Sequence, residues 1–195
     1  MDGRISPKFL HCGPGYGGSC FPKDTLALSR IGRDSGEEML VVEAAIKANH
    51  KQKTRMITKI INNMNGVSNK TIAILGLSFK PETDDMRDAP SIDIIKGLIE
   101  SGAKIRTFCP KGMVEAQWRL ADSAKDIYYA KDEYDASASA DAIVLITEWN
   151  QFRGLDLIEL KKNMQGSFFF DLRNVFSRSR EIRRLFNYFA VGQKS

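Results

Sequence analysis

Residues 70–79 read KTIAILGLSF, and residues 89–102, a short loop later, read APSIDIIKGLIESG. The first run is apolar, rich in β-branched side chains and too short for a typical helix, which makes it a buried strand. The second carries Pro90 where a helix begins and Gly102 where one ends, with apolar residues at helical spacing between them. The same alternation continues toward the C-terminus. Strands are predicted at KIRTFC (104–109), IYY (127–129), DAIVLIT (141–147) and SFFFDL (167–172). Helices are predicted at MVEAQWRLAD (113–122), around DEYDASAS (132–139), at LDLIELKKN (155–163) and at SREIRRLF (179–186). Strands that alternate with helices pair in parallel and are covered on both faces. The fold class is α/β, and ligands of such sheets bind beyond the carboxyl ends of the strands.

Upstream, GEEMLVVEAAIKANHKQKTRMITKIINNMN (36–65) contains no proline and no internal glycine. Apolar residues recur at Val42, Ala45, Ile46, Met56, Ile57, Ile60, Ile61 and Met64, close to helical spacing. A helix of about 28 residues, about 40 Å long, fits this pattern. It is expected to join two parts of the chain and to offer a homodimer surface. The competing reading is a helix broken at NHKQK (49–53). Asn49 falls on the apolar stripe and needs a hydrogen-bond partner if it is buried there. The expected division is therefore 1–66, a cysteine-bearing loop with a long central helix, and 67–195, an α/β domain with a Rossmann-like parallel sheet. The sequence holds no GxGxxG between a strand and a helix. A dinucleotide cofactor, if used, therefore needs a domain outside this chain.

The first part holds GPGYGGSCFPKD (13–24). Pro22 suits the first turn of a helix through KDTLALSR, which puts Cys20 just before that helix's N-terminus. Unpaired N–H groups, the helix dipole and the Lys23 ammonium all favour an anion there, hence the nucleophilic thiolate. Gly17 and Gly18 are expected to let the backbone approach a bound ligand. Asp24 is suited to take a proton or order a water beside the sulfur. The plainer alternative is a buried cysteine in a tight turn, with Lys23 and Asp24 as solvated charges. His11, Cys12 and Cys20 lack the spacing and the fourth ligand of a metal site.

Composition is that of a globular chain, with 43% hydrophobic residues and a mean hydropathy of −0.29. No apolar run approaches the roughly 20 residues that span a bilayer, and the N-terminal residues do not read as a signal peptide. Three cysteines in 195 residues do not form a disulfide framework, so a cytoplasmic location is expected. The net charge is +5, but the basic residues are dispersed and no nucleic-acid module accompanies them. Small anions such as phosphates are the expected partners.

The segment GRISPKFLHCGPGYGGSCFPKDTLAL (3–28) resembles the catalytic segment of the UDP-glucose/GDP-mannose dehydrogenase family. The likeness continues through the long helix and ILGLSFKPETDDMRDAPS (74–91), and extends to AIVLITEWNQF (142–152) and FFFDLRNVF (168–176). It covers essentially the whole chain and implies a C-terminal portion without the family's N-terminal NAD-binding Rossmann domain. That domain is then absent or carried by another polypeptide, and the chain alone is expected to be inactive.

The implied reaction is NAD-dependent oxidation of the primary alcohol of UDP-glucose to a carboxylate, giving UDP-glucuronate. By resemblance Cys20 is the nucleophile, passing through a thiohemiacetal and a thioester, and Asp24 assists the water and proton steps. Phe9, Leu10, His11, Cys12, Gly13 and Gly17 match the substrate loop. Lys80 and Arg173 match substrate contacts, and Arg4 matches an arginine that reaches the substrate of a neighbouring subunit. Lys23 and Arg87 match contacts to NAD. A charge-assisted bond from such cations to a diphosphate is worth roughly 1.5–3 kcal/mol. Cys12 and Cys109 depart from the family's pattern. Other implied possibilities are a nucleotide-sugar-binding module without catalysis, or a substrate such as GDP-mannose or UDP-N-acetylmannosamine.

Overall fold

A computed structural model of the chain describes residues 10–193. Among these residues six strands form one parallel sheet: β1 (Thr71–Leu75), β2 (Lys104–Phe108), β3 (Ile127–Tyr129), β4 (Ala142–Leu145), β5 (Phe168–Asp171) and β6 (Asn187–Ala190). Their order across the sheet is β3-β2-β1-β4-β5-β6. The order reverses between β1 and β4, which is where such sheets open a ligand crevice. Ile72, Ile74, Leu75, Ile143, Val144, Leu145, Phe169 and Phe170 are fully buried. Successive residues of one strand are buried alike because both faces are covered.

Among the described residues seven α-helices accompany the sheet: α1 (Phe21–Asp34), α2 (Leu40–Asn63), α3 (Pro90–Glu100), α4 (Met113–Arg119), α5 (Glu133–Ser137), α6 (Leu157–Asn163) and α7 (Arg180–Leu185). Helices α2 and α3 pack together, while α5, α6 and α7 form a second packed group. Right-handed crossovers put these groups on opposite faces.

The long helix is continuous through NHKQK, so the polar run does not break it. It is shorter than expected, at 24 residues, and Glu37 and Glu38 precede it. Its buried side, Met56 and Ile60, seats it against the α/β core, and Lys53 is buried with them. The cysteine-loop helix is longer than KDTLALSR, running on to Asp34, where the Ser35 N–H closes its last turn. The predicted helix at 113–122 tightens after Arg119 into a 3₁₀ turn over Ala121–Asp126.

Strand β6 was absent from the sequence reading. NYFA follows directly on α7, and its burial, exposed and half-buried until Ala190, is that of an edge strand. Its Phe189 ring stacks on Phe170 at 5.0 Å between centroids. Among the described residues no helix is long and apolar enough to cross a membrane.

Truncating Ile60, which is fully buried, tests how firmly α2 is seated. Ile60→Ala is expected to lower stability by about 2–5 kcal/mol. Val41→Ala, at a position 85% exposed on the same helix, should stay within about 0.5 kcal/mol of the parent chain. Urea denaturation followed by circular dichroism checks both.

Candidate active site

Cys20 caps α1, with Pro22 in the first turn. Its carbonyl accepts the Asp24 N–H at 2.8 Å, while its side chain makes no capping hydrogen bond. The thiol is exposed, and Ser19 Oγ lies 3.6 Å from the sulfur. The buried-cysteine alternative therefore does not hold. Lys23 and Asp24 are also exposed and pair with each other at 3.3 Å.

The loop that leads to Cys20 lies against the segment following β1. Gly18 N–H donates to the Arg87 carbonyl at 2.7 Å. A Cβ on Gly17 would stand 2.5 Å from the Asp88 carbonyl oxygen, and one on Gly18 would stand 2.9 Å from the Phe79 ring. The glycines thus permit a close approach to the protein's own loop, a contact that the sequence did not point to. The contact brings the two motifs together. Arg87, 56% exposed, is held firmly protonated by its hydrogen bonds to the Asp85 carboxylate. Asp85 is correspondingly held below the usual carboxylate range by that guanidinium. Lys80 sits 5.2 Å from the centroid of the Phe79 ring, the ring that Gly18 touches.

The start of the loop meets the sheet at a second point. The Arg173 guanidinium occupies the space that a side chain at Gly13 would need. It pairs with Glu148, beyond β4, at 2.6 Å, while Arg173 Nε has no hydrogen-bond partner among the described residues. Next in sequence, Asn174 donates to Cys12 Sγ at 3.0 Å and to the Val191 carbonyl at 3.0 Å. Below them Asp171 is fully buried and accepts from Phe176 N–H, Arg173 N–H and the Tyr188 hydroxyl. Burial first, and the Asp171 carboxylate second, push the Tyr188 phenol up, so it remains a donor across the physiological range.

Helix α2 supplies rungs that the sequence reading did not assign. Gln52 Nε2 donates to the Gly13 carbonyl at 2.9 Å. Asn49 accepts from Tyr16 N–H at 2.7 Å and donates to the Tyr16 carbonyl at 3.1 Å. Lys53 donates to the Asp88 carbonyl at 3.1 Å and pairs with Asp93 at 2.7 Å. The partner that Asn49 required is loop backbone, not another helix. The polar run NHKQK was legible as an anomaly in an apolar stripe. Glu148 and Asn174 carried no signal beyond standing after strands.

Leu10, His11 and Cys12 are exposed at the start of this loop. The structure therefore gathers Cys12, Gly13, Gly17, Cys20, Lys80, Arg87 and Arg173 along one seam between the cysteine loop and the strand ends. Arg4 and Phe9 lie outside the described residues. Cys109 is buried instead, 3.8 Å from Ser78 Oγ. Among the described residues no cluster of His, Cys, Asp and Glu could hold a metal ion.

This arrangement has known counterparts. Residues 73–178 match the UDP-binding domain of the UDP-glucose/GDP-mannose dehydrogenase family, and residues 1–51 match that family's central domain. The chain belongs to this family. Over 194 residues it is 43% identical to the UDP-glucose 6-dehydrogenase of Rhizobium meliloti, covering 99% of this chain and 44% of that protein. It is 36% identical to UDP-glucose 6-dehydrogenase TuaD of Bacillus subtilis, covering 99% of this chain and 41% of that protein. A solved UDP-glucose dehydrogenase from Pyrobaculum islandicum superimposes with a TM-score of 0.84 at 30% identity, over all of this chain and 42% of that one. The chain thus spans less than half the length of these relatives.

Exposure sets the order of thiol reactivity. Iodoacetamide, read out by peptide mass spectrometry, should label Cys12 and Cys20 in the folded chain and Cys109 only after unfolding. Gly17→Ala should drive the loop off Asp88 and lower stability by about 1–3 kcal/mol. A Gly17→Ala chain as stable as the parent would refute the close packing of loop and sheet.

Proposed function

We propose that this chain provides the nucleophile and the UDP-sugar site of an NAD-dependent UDP-glucose 6-dehydrogenase. The carrying observation is the exposed Cys20 thiol at the head of α1, in a loop whose Gly18 N–H bonds to the Arg87 carbonyl of the segment after β1. A relative named for UDP-glucose at 43% identity favours that hexose over the alternatives.

In this reading, UDP lies at the strand ends near the β1–β4 switch point, with Lys80 and Arg173 on the nucleotide sugar. The Cys20 sulfur adds to the aldehyde carbon of the half-oxidised sugar. A sulfur–carbon bond forms, the carbonyl π bond breaks, and the thiol proton ends on the new hydroxyl. Loss of a hydride and a proton from this thiohemiacetal leaves a thioester. Water ordered by Asp24 cleaves it to UDP-glucuronate and frees the thiol.

NAD supplies the hydride acceptor for both oxidations. Arg87, exposed and held charged by Asp85, and the exposed Lys23 suit the rim of a dinucleotide site. With no GxGxxG in the sequence, the remainder of that site belongs to a domain beyond this chain, in the same polypeptide or another. We assign residues 1–66 to the cysteine loop and joining helix and 67–195 to UDP binding. The exposed Leu40 and Val41 at the start of α2 support a homodimer contact on that helix.

Calorimetry on the chain alone should detect UDP binding, and an NAD/UDP-glucose assay of the chain alone should give no NADH. Adding the NAD-binding portion of a longer relative should restore NADH and UDP-glucuronate. In that mixture Cys20→Ser should lower turnover by at least about 10³-fold. UDP binding with no NADH in the complemented mixture would instead indicate a nucleotide-sugar-binding module without catalysis.

A further inference from the structure

Nothing in the cysteine loop itself explains why it holds one shape. The stretch from Gly13 to Ser19 belongs to no regular element, and four of its seven residues are glycine. Left alone, such a segment samples many conformations, and the sulfur at its end would sample many positions. Contacts at its two ends hold Gly13 and Gly18, and a side chain of α2 holds its middle. The Asn49 carboxamide lies along the Tyr16 backbone, accepting its N–H at 2.7 Å and donating to its carbonyl at 3.1 Å. Only an amide offers a donor and an acceptor side by side in this sense. Asn49 Oδ1 also occupies the space where a side chain at Gly15 would stand.

The constraint reaches Cys20 by a short route. The Tyr16 ring meets the Phe21 ring edge-on, with centroids 4.7 Å apart, and Phe21 follows Cys20 as the first residue of α1. One turn further along α2, Lys53 grips Asp88, the residue against which Gly17 packs. Helix α2 therefore references the loop both to itself and to the nucleotide domain. A rigid helix holding a flexible loop at its midpoint suits a thiol that must meet one carbon atom.

We propose that Asn49 is a positioning residue for the Cys20 thiol, acting through Tyr16 and touching neither sugar nor cofactor. This rests on the reading of Cys20 as the nucleophile. The test uses the whole 195-residue chain and UDP-glucose oxidised to the aldehyde at its primary carbon. This probe needs no NAD, since thiohemiacetal formation is an addition without net oxidation. Protection of Cys20 from iodoacetamide by the aldehyde, beyond any protection that UDP-glucose itself gives, reports sulfur placement. Calorimetry with UDP alone reports the nucleotide site.

Asn49→Ala, and Asn49→Asp, which keeps the volume but turns a carboxylate oxygen toward the Tyr16 carbonyl, should each raise the aldehyde concentration needed for protection by about tenfold or more. UDP affinity should stay within about threefold, matching uniform retention of binding with loss at the reacting centre. Protection in both variants at the concentration that suffices for the parent chain would overturn the inference. Equal losses of UDP affinity and of protection, with an unchanged unfolding transition, would also overturn it, by making Asn49 part of the nucleotide site. Absence of protection in the parent chain would instead sink the nucleophile reading, and the inference with it.

Discussion

The constraint on which the rest depends is the contact between a glycine-rich loop and the segment after β1. Gly17 and Gly18 press their bare backbone on Asp88 and Phe79, and Gly18 N–H bonds to the Arg87 carbonyl. That contact is local in space and distant in sequence. It joins the loop that carries a thiol from the first part of the chain to the segment that carries Lys80 and Arg87 in the second. Without it, Cys20 would be an exposed cysteine at the end of a helix, and Lys80 and Arg87 would be surface charges.

The sheet order supplies the other half. Reversal between β1 and β4 brings the loops after those strands side by side, and the Arg173 loop follows on β5. Glu148 beyond β4 holds Arg173 beyond β5, and Arg173 backs onto Gly13. Three strand ends and one loop therefore converge on a single seam. Asp171, fully buried and bonded by two backbone N–H groups and the Tyr188 hydroxyl, stiffens the last of those turns. Helix α2 spans the seam from behind, and its polar residues face the loop while Met56 and Ile60 face the core.

Much of this was legible in the sequence for physical reasons. KTIAILGLSF and FFFD are apolar runs too short for helices, and Pro22 and Pro90 mark helix starts because a missing N–H costs nothing there. The sequence identified Cys20 as a helix-head residue and flagged Asn49 as a polar residue on an apolar stripe. It gave no sign that Gly17 and Gly18 pack on the segment after β1, because close packing against a distant loop leaves the same local signature as packing against a ligand. It missed β6, because four residues directly after a helix, one exposed, two half-buried and one buried, carry no clear alternation. Gln52, Lys53, Glu148 and Asn174 escaped because their roles are contacts across 25 to more than 160 positions, which no local pattern encodes.

The central claim is that the Cys20 sulfur and the strand ends share one cleft and address one molecule. A crystal structure of the chain with UDP-glucose bound tests it most directly. The account predicts the diphosphate and uridine at the ends of β1 and β4, with the primary carbon of the sugar within about 3.5 Å of Cys20 Sγ. A nucleotide bound elsewhere, or a sugar directed away from the sulfur with Lys80 and Arg173 idle, would contradict it.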